Sequence, residues 1–212
     1  WKHLVDNNVS HEFVGTRTEN YQGVSVYPDY SGQSFVNRHE AVWGLTALER
    51  GDSASTYLAN LKDQDETPDT ALVFLGGNDI GWDSTVSAET VADRLKVIID
   101  KLQGDVGTNG NPNIRILLVS ILPRFTLSGG SYTVPVAENA HYTAINTLLQ
   151  AMAPDETTET SEVTYLDLAT SFNSASDVLY DGVHPNAAGE QIEADAIFGA
   201  LVTVSNTYKI TF

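Results

Sequence analysis

Ala71-Leu72-Val73-Phe74-Leu75 runs without a polar residue straight into Gly76-Gly77-Asn78-Asp79-Ile80. So short an apolar run, without the alternation of a half-exposed strand, predicts a strand covered on both faces, as parallel sheets require. The two glycines that follow have no side-chain bulk. They let the backbone turn sharply and hold Asn78 out at the carboxyl end of the strand, the edge where open α/β sheets bind ligands.

Working outward, three more apolar runs predict buried strands: Glu12 to Gly15, Ile114 to Ile121 (IRILLVSI) and Val163 to Leu168 (VTYLDL). Helical spacing lies between them, with Val91, Leu95, Ile98 and Leu102 recurring over Ala88 to Leu102, and a second pattern over Ala137 to Met152. Strands alternating with helices predict a doubly wound parallel sheet. A last helix is expected over Ala187 to Leu201, N-capped by Asn186, with Ile192, Ala196, Ile197 and Ala200 inward. Tyr21 to Asn37 and Gly104 to Asn113 are rich in turn formers and predict loops. In the tail, Tyr208, Ile210 and Phe212 alternate with Thr207, Lys209 and Thr211, which predicts an edge strand or ordered tail within 202–212.

The chain of 212 residues, 42% of them hydrophobic, can bury one α/β core, and 1–212 is expected to be a single domain. A net charge of -17 disfavours nucleic acid and anionic membranes as partners, since both are polyanions, and favours a neutral substrate. The absence of cysteine excludes a thiol nucleophile, a thiolate metal site and disulfides. No apolar run is long enough to span a bilayer, and the start, Trp1 to Leu4, has no signal-peptide pattern. No HExxH or EF-hand spacing occurs, so no metal or other cofactor is expected.

The chemistry is concentrated in Tyr180-Asp181-Gly182-Val183-His184-Pro185-Asn186, between the last strand and the final helix. One short turn can present Asp181 and His184 to the same cleft, and Pro185 restricts His184 to extended backbone. In acyl transfer a histidine removes the nucleophile's proton while a carboxylate fixes its tautomer, so His184 is the candidate base and Asp181 its orienter. An amide at the strand edge can donate to an oxygen that becomes negative, which makes Asn78 the candidate oxyanion donor. Both segments also have plain readings, as an Asn-Asp turn after a strand and as an Asp turn leading into an Asn helix cap.

Together the two segments resemble the SGNH (GDSL-like) hydrolase superfamily: Gly76-Gly77-Asn78-Asp79 is similar to its GxND block and Asp181-Gly182-Val183-His184-Pro185 to its DxxHP block. His39-Glu40-Ala41-Val42-Trp43-Gly44-Leu45-Thr46 resembles the glycine block of acetyl xylan esterases of carbohydrate esterase family three, with departures at Ala41 and Leu45. Val14-Gly15-Thr16 is similar to the second-strand ending of those enzymes. The resemblance implies a three-layer α/β/α sandwich with a flavodoxin-like parallel sheet, and a backbone N–H of Gly44 in the oxyanion hole beside Asn78. It also implies a serine esterase that removes acetyl or other short acyl groups from a polysaccharide, secreted or extracellular. The partner is then a small ester or acetylated carbohydrate.

The same resemblance places the nucleophilic serine in a Gly-Asp-Ser block at the end of a first strand, ahead of Glu12 to Gly15. None of the eleven residues before Glu12 forms such a block, and Trp1 to Asn7 looks like the end of the helix that follows it. The first strand is therefore expected to be missing. Its slot, central in the sheet, is expected to be filled by a separate N-terminal peptide carrying the block or by a rearranged segment of this chain, for which the alternating tail is a poor replacement. A literal Gly51-Asp52-Ser53 follows helix-like Leu45 to Arg50, whereas a nucleophile elbow needs a buried strand before it. Ser53 reads instead as an N-cap for Ala54 to Leu61. His3, His11, His39 and His141 are weaker candidates for a base. Two alternatives stay open: a noncatalytic carbohydrate-binding relative using exposed Tyr27, Tyr30, Trp43 and Trp82, and a lipase or thioesterase with an apolar acyl groove.

Overall fold

The computed structural model describes residues 1–19, 27–105, 107–128, 131–133, 135–172, 179–202 and 207–211. In chain order the elements are α1 (Lys2–Asp6), β1 (Ser10–Phe13), α2 (Ala47–Asp63), β2 (Thr70–Val73), α3 (Gly77–Trp82), α4 (Ala88–Leu102), β3 (Arg115–Val119), β4 (Thr126–Ser128), β5 (Ser131–Thr133), α5 (Val136–Asp155), β6 (Val163–Leu166), α6 (Ala187–Leu201) and β7 (Thr207–Thr211). Five strands form one parallel sheet in the order β1-β7-β2-β3-β6, while β4 and β5 make a small antiparallel hairpin.

Successive residues of a strand point to opposite faces, and here both faces are apolar. Ala71 and Val73 of β2, with Ile116 and Leu118 of β3, join a core with α2, α4 and α5. Leu72, Leu117 and Val119 join a second core with Leu4 of α1 and Leu201 of α6. This is the expected three-layer sandwich, and it explains why the β2 and β3 sequences show no alternation.

The tail departs from expectation. It does not lie at an edge: β7 is inserted between β1 and β2, pairing Ser10 with Thr207 through Phe13 with Ile210 on one side, and Thr70 with Ile210 on the other. The slot is thus filled by a segment of this chain, one of the two expected outcomes, and the segment is the very tail expected to be a poor replacement. Ile210 is buried among Phe13, Leu72 and Leu117. Two facing parallel edges each present unpaired N–H and C=O groups, and satisfying them outweighs the polar character of one strand face. Residues 203–206 and Phe212 lie outside the described residues, as does Tyr21 to Val26 of the expected first loop.

Ser53 is also corrected. It does not cap a helix: α2 is N-capped by Thr46, whose side chain and that of Glu49 form a reciprocal capping box, and Ser53 lies inside the helix with its hydroxyl donating to the Arg50 carbonyl at 3.1 Å.

Candidate active site

Three connections at the carboxyl ends of the strands build the site. After β2 the chain turns at Gly76, whose φ of +104° is left-handed and where a Cβ would come within 2.9 Å of the Ile121 side chain. Only glycine is comfortable there. The turn starts α3 and puts Asn78 in its first helical turn, where Asn78 Nδ2 donates to the Leu45 carbonyl at 3.0 Å. A carboxamide has two such hydrogens, so one is left to offer. Asp79 points the other way and is buried. Its carboxylate accepts the Ala47 N–H at 2.7 Å and pairs with Arg94 at 2.7 Å, which ties the glycine turn to the start of α2.

The second connection leads from β1 to α2. Gly15 passes so close to the His39 backbone that a Cβ would lie 2.4 Å from it. Glu40 is buried, accepts the Thr16 N–H at 2.5 Å and lies 3.7 Å from Arg50. Gly44 takes a left-handed φ of +71°, and its carbonyl accepts the indole N–H of Trp82 at 2.9 Å. Asn78 and Trp82 of α3 therefore both hold this loop, at Leu45 and Gly44.

The third connection carries the candidate acid and base. One Asp181 oxygen accepts the backbone N–H groups of Val183 (2.9 Å) and His184 (2.7 Å), while the other meets His184 Nδ1 at 2.7 Å. Burial by itself would raise the Asp181 carboxyl, but the His184 and Val183 amides and the imidazole outweigh it and hold it below the ordinary carboxylate value. An ionised Asp181 requires the proton on Nδ1, leaving Nε2 as the acceptor. Asn186 caps α6 through the N–H groups of Ala188 and Gly189, as expected.

His184, Asn78, Gly76, Gly77 and Leu45 line one cleft of about 240 Å³, with Phe74, Ile121, Leu122, Arg124, Tyr142, Val183, Pro185 and Glu193 completing it. Glu193 is pushed up to about 7 by burial, with help from Glu190. A cavity of about 320 Å³ adjoins the cleft, sharing Leu45, Phe74, Leu75 and Asn78 with it, and is lined also by Glu40, Ala41, Val42, Arg50 and Thr211. Thr211, at the end of β7, has its buried hydroxyl without a partner among the described residues.

The cleft thus collects His184, Asn78 and Leu45 at one end of the sheet, with Asp181 bonded to His184, and with Gly44, next to Leu45 in the chain, outside the lining. It holds no serine, threonine or cysteine among its described lining residues. His3 meets Asp195, and His39 is bridged to Arg17. Among the described residues no group of three His, Cys, Asp or Glu is arranged to hold a metal ion, and no helix is long and apolar enough to cross a membrane. Sequence reasoning missed Asp79, Arg124, Tyr142 and Glu193. Asp79 stood in view within the quoted motif, but nothing in a linear sequence points to its partners Ala47 and Arg94.

A model of the GDSL-like lipase/acylhydrolase family matches residues 14–192, which include all three connections. The chain belongs to that family. A multidomain esterase of Ruminococcus flavefaciens is 28% identical over 180 residues, 80% of this chain, and the chain spans about a fifth of that protein's length. Among solved structures, a carbohydrate esterase family 3 protein from Talaromyces cellulolyticus superposes with a TM-score of 0.76 at 22% identity, covering 97% of this chain and 90% of the other. An acetyl esterase solved with an acetate ion gives 0.73 at 22% identity, covering 95% and 86%. At such identities these two likenesses show the GDSL-like fold and no more.

Proposed function

We propose that this GDSL-like chain provides the base, its orienting acid and the oxyanion donors of an esterase that removes acetyl or other short acyl groups from carbohydrate. The observation that carries the reading is that His184, bonded to Asp181, lines one cleft together with Asn78. His184 Nε2 takes the proton of a hydroxyl nucleophile as its oxygen bonds to the ester carbonyl carbon. The carbonyl oxygen, now negative, accepts from Asn78 Nδ2 and the Gly44 N–H. Collapse of this adduct breaks the bond to the alcohol, which leaves with the proton from His184, and water repeats the sequence to free the acid. The family relatives' names, which include esterases, support this reading.

The nucleophile in this reading is a serine on a Gly-Asp-Ser segment seated in the cavity where β7 ends at Thr211, and the acidic, cysteine-free composition suits an extracellular setting. The test compares the 212-residue chain with the same chain extended after Phe212 by a Gly-Asp-Ser segment, using 4-nitrophenyl acetate. The extended chain is expected to hydrolyse it, the unextended chain not. In the active form Asn78→Ala should lower kcat about 100 to 1,000-fold with little change in KM. Hydrolysis by the unextended chain that is lost on Ser53→Ala would place the nucleophile elsewhere. That no serine stands among the described residues lining the cleft favours a second reading, a noncatalytic relative that binds carbohydrate without cleaving it. A series from acetyl to octanoyl esters tests the lipase alternative, which requires rates that rise with acyl length.

A further inference from the structure

Around His184 and the neighbouring Gly44 loop, three large aromatic side chains remain in water. Trp43 is 55% exposed, Tyr180 59% and Trp82 71%. Their positions are linked through the site itself. Trp43 lies with its ring centroid 5.4 Å from that of His184, and Tyr180 stacks on His184 at 5.7 Å with the ring planes 19° apart. Trp82 reaches the same loop from α3, held by its N–H on the Gly44 carbonyl, next to Trp43 in sequence. A ring fixed by a hydrogen bond and still mostly exposed loses little further freedom when a ligand covers it.

We propose that Trp43, Tyr180 and Trp82 form a stacking rim for the pyranose rings of a neutral oligosaccharide, which holds the ester-bearing sugar over His184. The axial C–H groups of a pyranose make an apolar face that packs on an aromatic ring, while its hydroxyls need polar partners at the ring edge. Both are present. The cleft beneath the rim offers the Glu193 carboxylate, which takes no partner among the described residues, and the Arg124 guanidinium. The charge of -17 repels an anionic polymer and leaves a neutral one unaffected. The other exposed aromatics considered from sequence do not join this surface: Tyr30 packs on Trp1, and Tyr27 on Phe35.

The inference deepens the esterase reading but is tested without turnover. In the chain with Trp1→Phe, the remaining indoles are Trp43 and Trp82, so titration with unacetylated xylotetraose reads the rim through tryptophan fluorescence. Saturable binding in the millimolar range is expected, weakened about five- to tenfold by Trp43→Ala or Tyr180→Ala. Trp82→Phe keeps a stacking ring but loses the bond to Gly44, and is expected to bind within about twofold of its parent. Thermal melts of each variant separate lost binding from lost folding. A tetragalacturonate of the same length should bind at least tenfold more weakly. The proposal is overturned if xylotetraose gives no saturable signal, if folded Trp43→Ala and Tyr180→Ala variants bind like the parent, or if sedimentation shows the rim buried between two copies. Sugar binding without ester hydrolysis by the extended chain leaves the rim standing and removes the esterase reading. Hydrolysis of 4-nitrophenyl acetate without sugar binding does the reverse.

Discussion

Asp79 and Asp181 each belong to a short motif at the same end of the sheet, yet they work in opposite ways. Asp79 is buried with its side chain fully covered, and both of its oxygens are spent on the fold, one on the Ala47 amide and one on Arg94. Asp181 has a side chain 39% exposed and spends one oxygen on its own turn and the other on His184. The comparison teaches that a carboxylate's role follows from its partners and its access to water, not from the motif that contains it.

The difference is sharpest in Asp181→Asn. An amide can present its N–H to His184 and hold the wrong tautomer, so kcat of an active form should fall on the order of 10⁴-fold, while the melting temperature changes little. An equal loss of stability would make Asp181 a second structural carboxylate. Asp79→Ala should show the converse. It leaves Arg94 without its partner and the first turn of α2 without its acceptor, and is expected to cost about 3 to 5 kcal/mol in denaturant unfolding. A stable variant with impaired turnover would move Asp79 into the chemistry.

Glu193 extends the comparison to a third carboxylate, partly buried and without a pairing cation among the described residues. Its folded pKa is raised to about 7, so the folded state favours its protonated form. The destabilisation this causes is absent below the ordinary glutamate value, grows as pH rises from there, and is complete above about 7. Glu193→Gln should therefore raise the melting temperature at pH 8 and leave it nearly unchanged at pH 4.5. The gain has an upper bound of about 3 kcal/mol. Equal melting temperatures at both pH values would show that Glu193 titrates like a surface residue.

Much of this could be read before folding. The apolar runs located four of the sheet strands to within a few residues, most sharply β2 and β3, which are covered on both faces and so have few polar positions to blur them, whereas edge strand β1 (Ser10–Phe13) lies two residues ahead of the expected Glu12 to Gly15. Asn186 was legible as a cap, since capping is a contact between near neighbours. The Asp181–His184 pair was legible for the same reason, three residues being one turn. The tail was misread because its alternation reports only the polarity of its two faces. Its place between β1 and β2 depends on edges that belong to other parts of the chain.

The sequence by itself determined the layer architecture, the left-handed glycine turns and the local Asp181–His184 pair, all set by interactions within a few residues or by periodic burial. Only the tertiary structure decided that β7 is central, that Asp79 ties the glycine turn to α2 and Arg94, and that Trp43 and Tyr180 flank His184 while Trp82 holds the neighbouring Gly44 loop. Those outcomes require contacts between residues far apart in the chain, and their energies exist only once the sheet has brought its carboxyl ends together.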